Sequence, residues 1–379
     1  MTPYILPLLH VLFVVVAWLA TPLAIAESKF RSPEDGMFDL DEFIAQAYGF
    51  VPLVIPITEP AVGAGGFAAL AFIDRAKEPA AAGFGRPNIT VVGGLGTENG
   101  TRGFVVGDVR HWLDDNLQTL AGLMQTSINL DFHGIGRDHL LRHDPRSYNL
   151  ETRGGVLQGK VRIARSNGWL GLGYVLASTK VRFNRQPPLA SLPTFERESR
   201  VGGLIPSLTY DTRNNIFTPT AGVYVDATAA IFRRDWGSDT DFKRSSVTAI
   251  GYLPLHPKVT LGLFGNHVSS SGDVPFYLHP FIAMRGVEMM RYQGERTAQI
   301  EAELRWQFWG RFSVVGFAGA GRAWNNREHF DRARTVSSAG IGFRYELARK
   351  TGLHMGFDIA TGPDGKAFYI QFGNAWMRP

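Results

Sequence analysis

Residues 299–308, QIEAELRWQF, alternate between polar and apolar side chains without a break. One face would carry Ile300, Ala302, Leu304, Trp306 and Phe308, and the other would carry Gln299, Glu301, Glu303, Arg305 and Gln307. A helix would spread those charges around its circumference, whereas the side chains of a β-strand alternate with a period of two. An apolar face tipped with aromatic residues and backed by a charged face suits a strand between lipid and a water-filled lumen. The stretch therefore predicts a strand of a transmembrane β-barrel.

Similar alternation recurs from Gly49 to Trp376, so we predict an all-β fold, a single antiparallel transmembrane barrel of about 16 strands. After residue 26, no stretch has the roughly eighteen consecutive apolar residues of a transmembrane helix. Closing the sheet removes its edges, as strands in lipid require. The predicted strands cover residues 50–58, 61–73, 88–97, 102–112, 116–132, 148–165, 169–183, 201–211, 222–232, 245–255, 258–269, 298–308, 312–322, 339–347, 352–360 and 367–376.

The chain divides into three predicted segments, 1–26, 27–48 and 49–379. Residues 1–26 contain an apolar run and an Ala-Ile-Ala cleavage site, which predicts a cleaved signal peptide. Because no Lys or Arg precedes the run, an uncleaved inner-membrane anchor is the alternative. Residues 27–48 are acidic and predict a short helix that lies in the periplasm or plugs the lumen. Residues 49–379 form the predicted barrel.

The composition narrows the classes of partner. Net charge is +5, but the basic residues are scattered rather than clustered, so we expect no nucleic acid as a partner. Lipid and lipopolysaccharide head groups, which are anionic, are the expected partners of that charge. The chain has no cysteine, which excludes a disulfide framework. We expect no cofactor.

Three stretches resemble motifs of one family, the bacterial surface antigen superfamily. Residues 204–227, LIPSLTYDTRNNIFTPTAGVYVDA, resemble its strand–turn–strand motif, with matching positions at Tyr210, Asp211, Arg213, Pro219 and Gly222. Residues 284–295, MRGVEMMRYQGE, resemble the Arg-Gly motif of its long sixth outer loop, at Arg285 and Gly286. Residues 314–324, VVGFAGAGRAW, resemble the strand that faces this loop from inside, at Phe317, Gly319 and Gly321.

This resemblance implies a sixteen-stranded outer-membrane barrel of a Gram-negative cell, with the sixth loop folded into the lumen and Arg285 held there by acidic residues. The family includes the BamA and TamA assembly factors and the transporters of two-partner secretion, so nascent outer-membrane proteins are implied partners. Two features depart from the family. Its inward Asp is Gly319 here, and inward parity nominates Glu303 or Glu346 as the partner of Arg285. The short acidic stretch 27–48 stands where those proteins carry POTRA modules.

The first and last strands predict a weak seam. Pro52 and Pro56 remove two hydrogen-bond donors from the first strand. The last strand, AFYIQFGNAW, resembles a barrel-recognition signal, and alternation from Phe372 to Trp376 would put both residues on one face at the seam.

Two functions follow as hypotheses. The first is an assembly or translocation factor that handles polypeptide or lipid through a weak seam or a gated lumen. The alternative is a passive porin-like or structural barrel in which the charged inner wall only hydrates the lumen. In this alternative, the weak edge would pair two copies as a homodimer. We expect no enzyme, since histidines near serines, such as His267 beside Ser269, show no defensible nucleophile spacing. The outer-loop residues His133, His139 and His143 are expected to be solvated rather than to bind metal.

Overall fold

The computed structural model describes residues 30–46, 49–74, 88–136, 141, 144–183 and 196–377. The predicted signal peptide lies outside these residues. Within them, no helix is long and apolar enough to cross a membrane. A short helix, α1 at Asp41–Gln46, precedes the strands β1 Gly49–Ile57, β2 Gly65–Asp74, β3 Asn88–Thr97, β4 Arg102–Trp112, β5 Leu117–Phe132, β6 Arg146–Arg162, β7 Gly168–Phe183, β8 Glu196–Asp211, β9 Gly222–Phe232, β10 Phe242–His256, β11 Val259–Gly272, β12 Arg296–Trp309, β13 Phe312–Trp324, β14 Thr335–Ala348, β15 Leu353–Gly362 and β16 Gly365–Phe372.

The sixteen strands form one antiparallel sheet whose order follows the chain from β1 to β16. This confirms the predicted fold class, a nearly closed barrel. The connections after β10 and β12 have two residues each, whereas residues 273–295 connect β11 to β12 at the opposite end. We call these the short-turn end and the long-loop end. In outer-membrane barrels, short turns face the periplasm and long loops face outward.

Burial follows the alternation that predicted the strands. In β12, Ile300 is 67% exposed on the outer, lipid-facing side, whereas its neighbour Glu301 is 6% exposed on the inner side. The inner polar face is thus packed against protein. The packing comes from three segments, residues 281–293, 212–221 and 373–376, which contact inward side chains of the wall.

The sheet is joined between all neighbouring strands except at one place. In the part of the chain that the structure describes, no backbone ladder connects β1 with β16. There, the Ile370 N–H donates to Thr58 Oγ1 at 3.3 Å. Pro52 and Pro56 lie within the β1–β2 ladder, which runs unbroken from Gly49 to Ile57. Of the predicted seam positions, Pro52 and Pro56 on β1 and Phe372 on β16 therefore lie on the two strands at this joint, whereas Trp376 lies beyond the end of β16.

Candidate functional site

Arg285, in the connection between β11 and β12, lies against the inward face of the wall. Its Nη1 donates to Glu303 Oε2 at 2.7 Å and to Asp358 Oδ2 at 2.9 Å. Its Nε lies 3.8 Å from Glu301 Oε2, and its Cζ lies 3.6 Å from the ring centre of Phe317. Since only 7% of Arg285 is exposed, it needs counter-charges to offset the loss of water. The three carboxylates supply these counter-charges, and the face of the Phe317 ring adds a cation–π contact.

Asp358 on β15 is shared between two guanidinium groups. Its Oδ1 accepts from Arg344 Nη1 at 2.6 Å, and its Oδ2 accepts from Arg344 Nη2 at 2.9 Å as well as from Arg285. The opposite residue on β14 is Gly342, where any Cβ would overlap the Asp358 carboxylate. This missing side chain makes room for a bidentate pair. We call the residues Arg285, Glu301, Glu303, Arg344 and Asp358 the Arg285 cluster.

The structure places only one of the two nominated partners beside Arg285. Glu303 contacts it, but Glu346 instead accepts from Arg349 Nε at 3.1 Å and lies 3.9 Å from His354 Nε2, so that nomination was wrong. Glu346 has the correct inward parity. It lies four residues nearer the short-turn end than the position opposite Asp358, about 13 Å along the strand. The alternation of side chains therefore shows which face of the sheet a residue lies on, but not how far along the barrel axis it lies.

Small residues bring the loop close to the wall. Gly286 has φ +84°, which favours glycine, and its N–H donates to the Tyr369 hydroxyl at 2.9 Å. At Gly319, a Cβ would lie 2.6 Å from Glu301 Cγ and 3.2 Å from Met284 Sδ. The residue that replaces the family's inward Asp therefore leaves the space that Glu301 and the loop occupy. Gly321 does the same for other parts of the loop, since its Cβ would lie 3.2 Å from Ile282 Cγ2.

The loop contacts both sides of the seam. On the β16 side, Arg291 Nε lies 3.0 Å from Asp364 Oδ1 in the β15–β16 turn. On the β1 side, the Met289 N–H donates to Glu59 Oε1 at 3.2 Å in the β1–β2 turn. Met290 is buried in an apolar cluster with side chains from that turn and from β5, β6 and β7. The loop thus spans a joint that the backbone leaves open.

The strand–turn–strand motif forms the floor of the site at the short-turn end. The Asp211 carboxylate accepts from Arg213 Nε at 2.9 Å and from Nη2 at 2.8 Å, and Arg213 is fully buried. The Pro219 carbonyl accepts from Arg305 Nη2 at 3.1 Å, which ties the turn to β12. At φ +102°, a side chain at Gly222 would overlap the Thr212 backbone. Tyr210 is not part of this floor, since it is 46% exposed.

The last four residues described before Met377 turn into the barrel. Sequence reasoning put Trp376 beside Phe372 on the last strand, and the structure corrects this, because β16 ends at Phe372 and Gly373 has φ +72°. Trp376 is 6% exposed, and its Nε1 donates to Glu301 Oε1 at 3.1 Å. Asn374 Nδ2 donates to the Phe217 carbonyl at 2.7 Å. This C-terminal tail, residues 373–376, connects the motif turn with the Arg285 cluster.

Such a barrel, with an unpaired first-to-last joint and a motif turn, loop and tail packed inside, is an outer-membrane barrel of the assembly and translocation type. The chain belongs to the Omp85 superfamily, whose domain matches residues 111–376. Among curated protein sequences, none is similar enough to be matched as a relative.

Three solved structures show the same fold. BamA from Haemophilus ducreyi lacking POTRA domains 1–3 is 14% identical, with a TM-score of 0.57 over 93% of this chain and 81% of that one. CdiB from Escherichia coli is 11% identical, with a TM-score of 0.59 over 85% of this chain and 61% of that one. CdiB from Acinetobacter baumannii is 8% identical, with a TM-score of 0.55 over 85% and 59%. At these identities, the likeness is one of fold alone.

Proposed function

We propose that the barrel handles polypeptide or lipid at the seam between β1 and β16, as an assembly or translocation factor of the outer membrane. The observation that carries this proposal is the missing ladder at that joint, in a sheet whose other neighbouring strands are paired. An unpaired strand edge offers N–H and C=O groups that an incoming strand can use. Nascent outer-membrane strands and lipid, including lipopolysaccharide, are the proposed partners.

The prolines of β1 support the proposal that hydrogen bonding across the seam is weak. The backbone nitrogens of every second residue in a strand point to the same neighbouring strand. The nitrogens of Pro52 and Pro56, four residues apart, therefore point to the same side of β1. Because the ladder to β2 is unbroken, we infer that this side is the seam. Two donors are then missing from the edge, which lowers the stability of any β1–β16 ladder without affecting β1–β2.

The loop supplies control in this proposal. The Arg285 cluster fixes it to β12 and β15, and Arg291 ties it to the β15–β16 turn. Its contact with Glu59 reaches the opposite edge of the sheet. Opening the seam would require the loop to release one edge. On the β1 side it is held by the hydrogen bond to Glu59 and by the burial of Met290, and on the β16 side by the ion pair of Arg291 with Asp364.

A crosslink across the seam tests the proposal. The chain has no cysteine, so Thr58→Cys with Ile370→Cys introduces a single pair at the closest observed contact. The control pair, Val54→Cys with Ala68→Cys, joins register partners on β1 and β2 and leaves the seam free. The measurement is the folding rate of a urea-unfolded test barrel into liposomes that contain each protein, before and after crosslinking.

We expect the seam crosslink to abolish the acceleration of folding and reduction to restore it, with the control pair unaffected. Full acceleration by a completely crosslinked seam would refute the proposal. If the folded, uncrosslinked protein accelerates nothing and conducts ions steadily, with or without Arg285, the passive channel becomes the better conclusion.

A further inference from the structure

Ion pairs fasten residues 30–46, which we call the rim segment, to the short-turn end of the barrel. Arg311, fully buried in the β12–β13 turn, donates from Nε to Asp35 Oδ2 and from Nη1 to Asp39 Oδ2, both at 2.6 Å. Arg349, in the β14–β15 turn, donates from Nη1 to Glu34 Oε2 at 3.0 Å. Three carboxylates of the segment are therefore turned toward arginines of the barrel.

Backbone contacts fix the same segment in register. The Asp41 carboxylate accepts from the N–H groups of Lys350 at 2.6 Å and Thr351 at 3.2 Å. The Leu40 N–H donates to the Leu347 carbonyl at 2.8 Å. Charge-assisted hydrogen bonds of this kind are roughly twice as strong as neutral ones. The segment is thus held at a defined position under β12 to β15.

Tyr345 shows which side of the rim the segment lies on. Its hydroxyl donates to the Phe38 carbonyl at 2.6 Å. Tyr345 alternates with the inward Arg344 and shares the outward face of β14 with Phe343. Its ring lies 5.2 Å from that of Phe312, which is also outward. Phe38 is therefore next to the lipid-facing surface.

Three phenylalanines of the segment form an aromatic group at this place. The Phe30 ring stacks on Phe38 at 6.1 Å and lies 5.9 Å from Phe43, and Phe38 and Phe43 are each 39% exposed. On the barrel above, Trp309 is 65% exposed and stacks on Phe312 at 5.4 Å. Outward aromatic residues at a barrel end mark the level of the lipid head groups. The hydrogen bond from the outward Tyr345 to the Phe38 carbonyl brings the three-ring group next to that aromatic girdle.

We propose that Phe30, Phe38 and Phe43 bind the periplasmic leaflet of the outer membrane and insert at the boundary between head groups and acyl chains. Two observations select phospholipid as the partner: the ring group is attached beside the girdle through Tyr345, and Glu34 and Asp35 of the segment pair with Arg349 and Arg311, so they are not left to repel anionic head groups. Aromatic side chains favour this boundary because the ring is apolar and polarisable. The rim segment is then a membrane anchor that is bound to the turns between β12 and β15.

Single nitroxide labels in this cysteine-free chain test the anchor. The protein is reconstituted in phosphatidylethanolamine and phosphatidylglycerol bilayers with a label at Phe43→Cys, or at Phe38→Cys to keep the Phe43 ring. Ile300→Cys provides the lipid reference and Arg327→Cys, in an exposed loop, provides the water reference. The measurement is the relaxation enhancement by oxygen, which enters lipid, compared with that by a water-soluble nickel chelate.

We expect the oxygen-to-nickel ratio at residues 38 and 43 to lie several-fold above that at Arg327 and toward that at Ile300. Ratios equal to the Arg327 value at both positions would overturn the proposal, and would mean that the rings await a protein partner or none. A further variant, Arg311→Gln, is expected to lower the ratio at residue 43, since it frees the segment from the turn. An unchanged ratio in folded Arg311→Gln would show that the arginine does not hold the anchor in place.

Discussion

The carboxylate of Asp358 has no exposed surface and serves two guanidinium groups at once, those of Arg285 and Arg344. In such a cluster, the removal of one charge does more than delete a contact, because the remaining charges stay buried without compensation. Arg285 is the residue that tethers the loop, so the electrostatic balance at this point also decides the position of the loop. Single-residue changes here should therefore report on both stability and loop position.

Asp358→Asn should destabilise the folded barrel by about 3 kcal/mol, because two buried arginines would share one neutral amide. Glu346→Gln is the matched control: it neutralises an inward carboxylate of β14 that pairs with the partly exposed Arg349, and should cost about 1 kcal/mol or less. The measurement is the urea midpoint of unfolding, followed by heat-dependent gel mobility. Equal losses in the two variants would contradict the assignment of Asp358 as the centre of the cluster.

Glu59 makes the contact between loop and β1 sensitive to pH. Burial raises the pKa of its carboxyl above the ordinary value near 4.5, although the N–H groups of Met289 and Ala61 oppose that rise. A raised pKa in the folded state means that stability is greatest with the proton on. We expect the contact to weaken as the pH rises from below 4.5 through the raised pKa.

The mobility of a nitroxide at Met289→Cys, which keeps the backbone N–H, measures this effect. Mobility should increase with pH in the parent protein and stay flat in Glu59→Gln, whose amide is neutral throughout. The same pH profile in both proteins would assign the effect to a group other than Glu59.

At the scale of elements, β13 is shaped by what its inner face must accommodate. Glu301 and Met284 both approach Gly319, whereas a Cβ at Gly316 on the outward face would meet no atom within 4 Å. The packing on the inner face of this strand therefore requires a glycine at position 319, whereas the outer face has room for a side chain at position 316. Close packing leaves no room for added atoms on the inner side.

Gly319→Asp, which restores the family's residue, should destabilise this barrel by about 1–3 kcal/mol, because it overpacks the site and adds a fourth carboxylate. Gly316→Ala on the same strand serves as the control for altered strand propensity and should be close to neutral. Thermal unfolding of both variants measures the difference. A neutral or stabilising Gly319→Asp would show that the loop can shift to accept the family's usual partner.

The alternation of single stretches such as residues 299–308 was enough to predict the sixteen strands, because lipid on one side and protein on the other impose a period of two. The end of β16 and the fate of Trp376 could not be predicted in this way, since one left-handed Gly373 redirects the chain. The pairing of Asp358 with Arg285 could not be predicted in this way either, since it joins residues 73 apart in the chain. Local sequence patterns therefore predict which side chains face inward and how long the strands are. The position of a residue along the barrel axis and the position of a loop depend on tertiary packing, which those patterns do not contain.

At the scale of the whole molecule, the interior is organised around one tethered loop that meets a turn and a tail from the opposite end. The Arg285 cluster lies at their junction, since Trp376 donates to Glu301 and Arg305 donates to the Pro219 carbonyl. Movement of the loop should therefore change the cross-section of the lumen as well as the seam.

Arg285→Ala should make ion conductance through the reconstituted barrel noisy, with frequent transitions between levels, because the loop loses its tether to β12 and β15. Arg291→Ala, which removes the outer contact with Asp364 and the pair with Glu288 within the loop but leaves the Arg285 cluster intact, should have a smaller effect. Planar-bilayer recordings of the three proteins make the comparison. Identical quiet traces for Arg285→Ala and the parent would show that the loop stays in place without the cluster.

The strand order of the sheet also predicts the order in which contacts form during folding. Each ladder joins strands that follow one another in the chain, so hairpins can be added one after another with short closures. The contact between Thr58 and Ile370 is different, because it brings together residues 312 positions apart and so has a larger loop-closure entropy to overcome than any ladder of the sheet. The joint left without a ladder should therefore be the last to form during folding and the first to separate when the barrel is stressed.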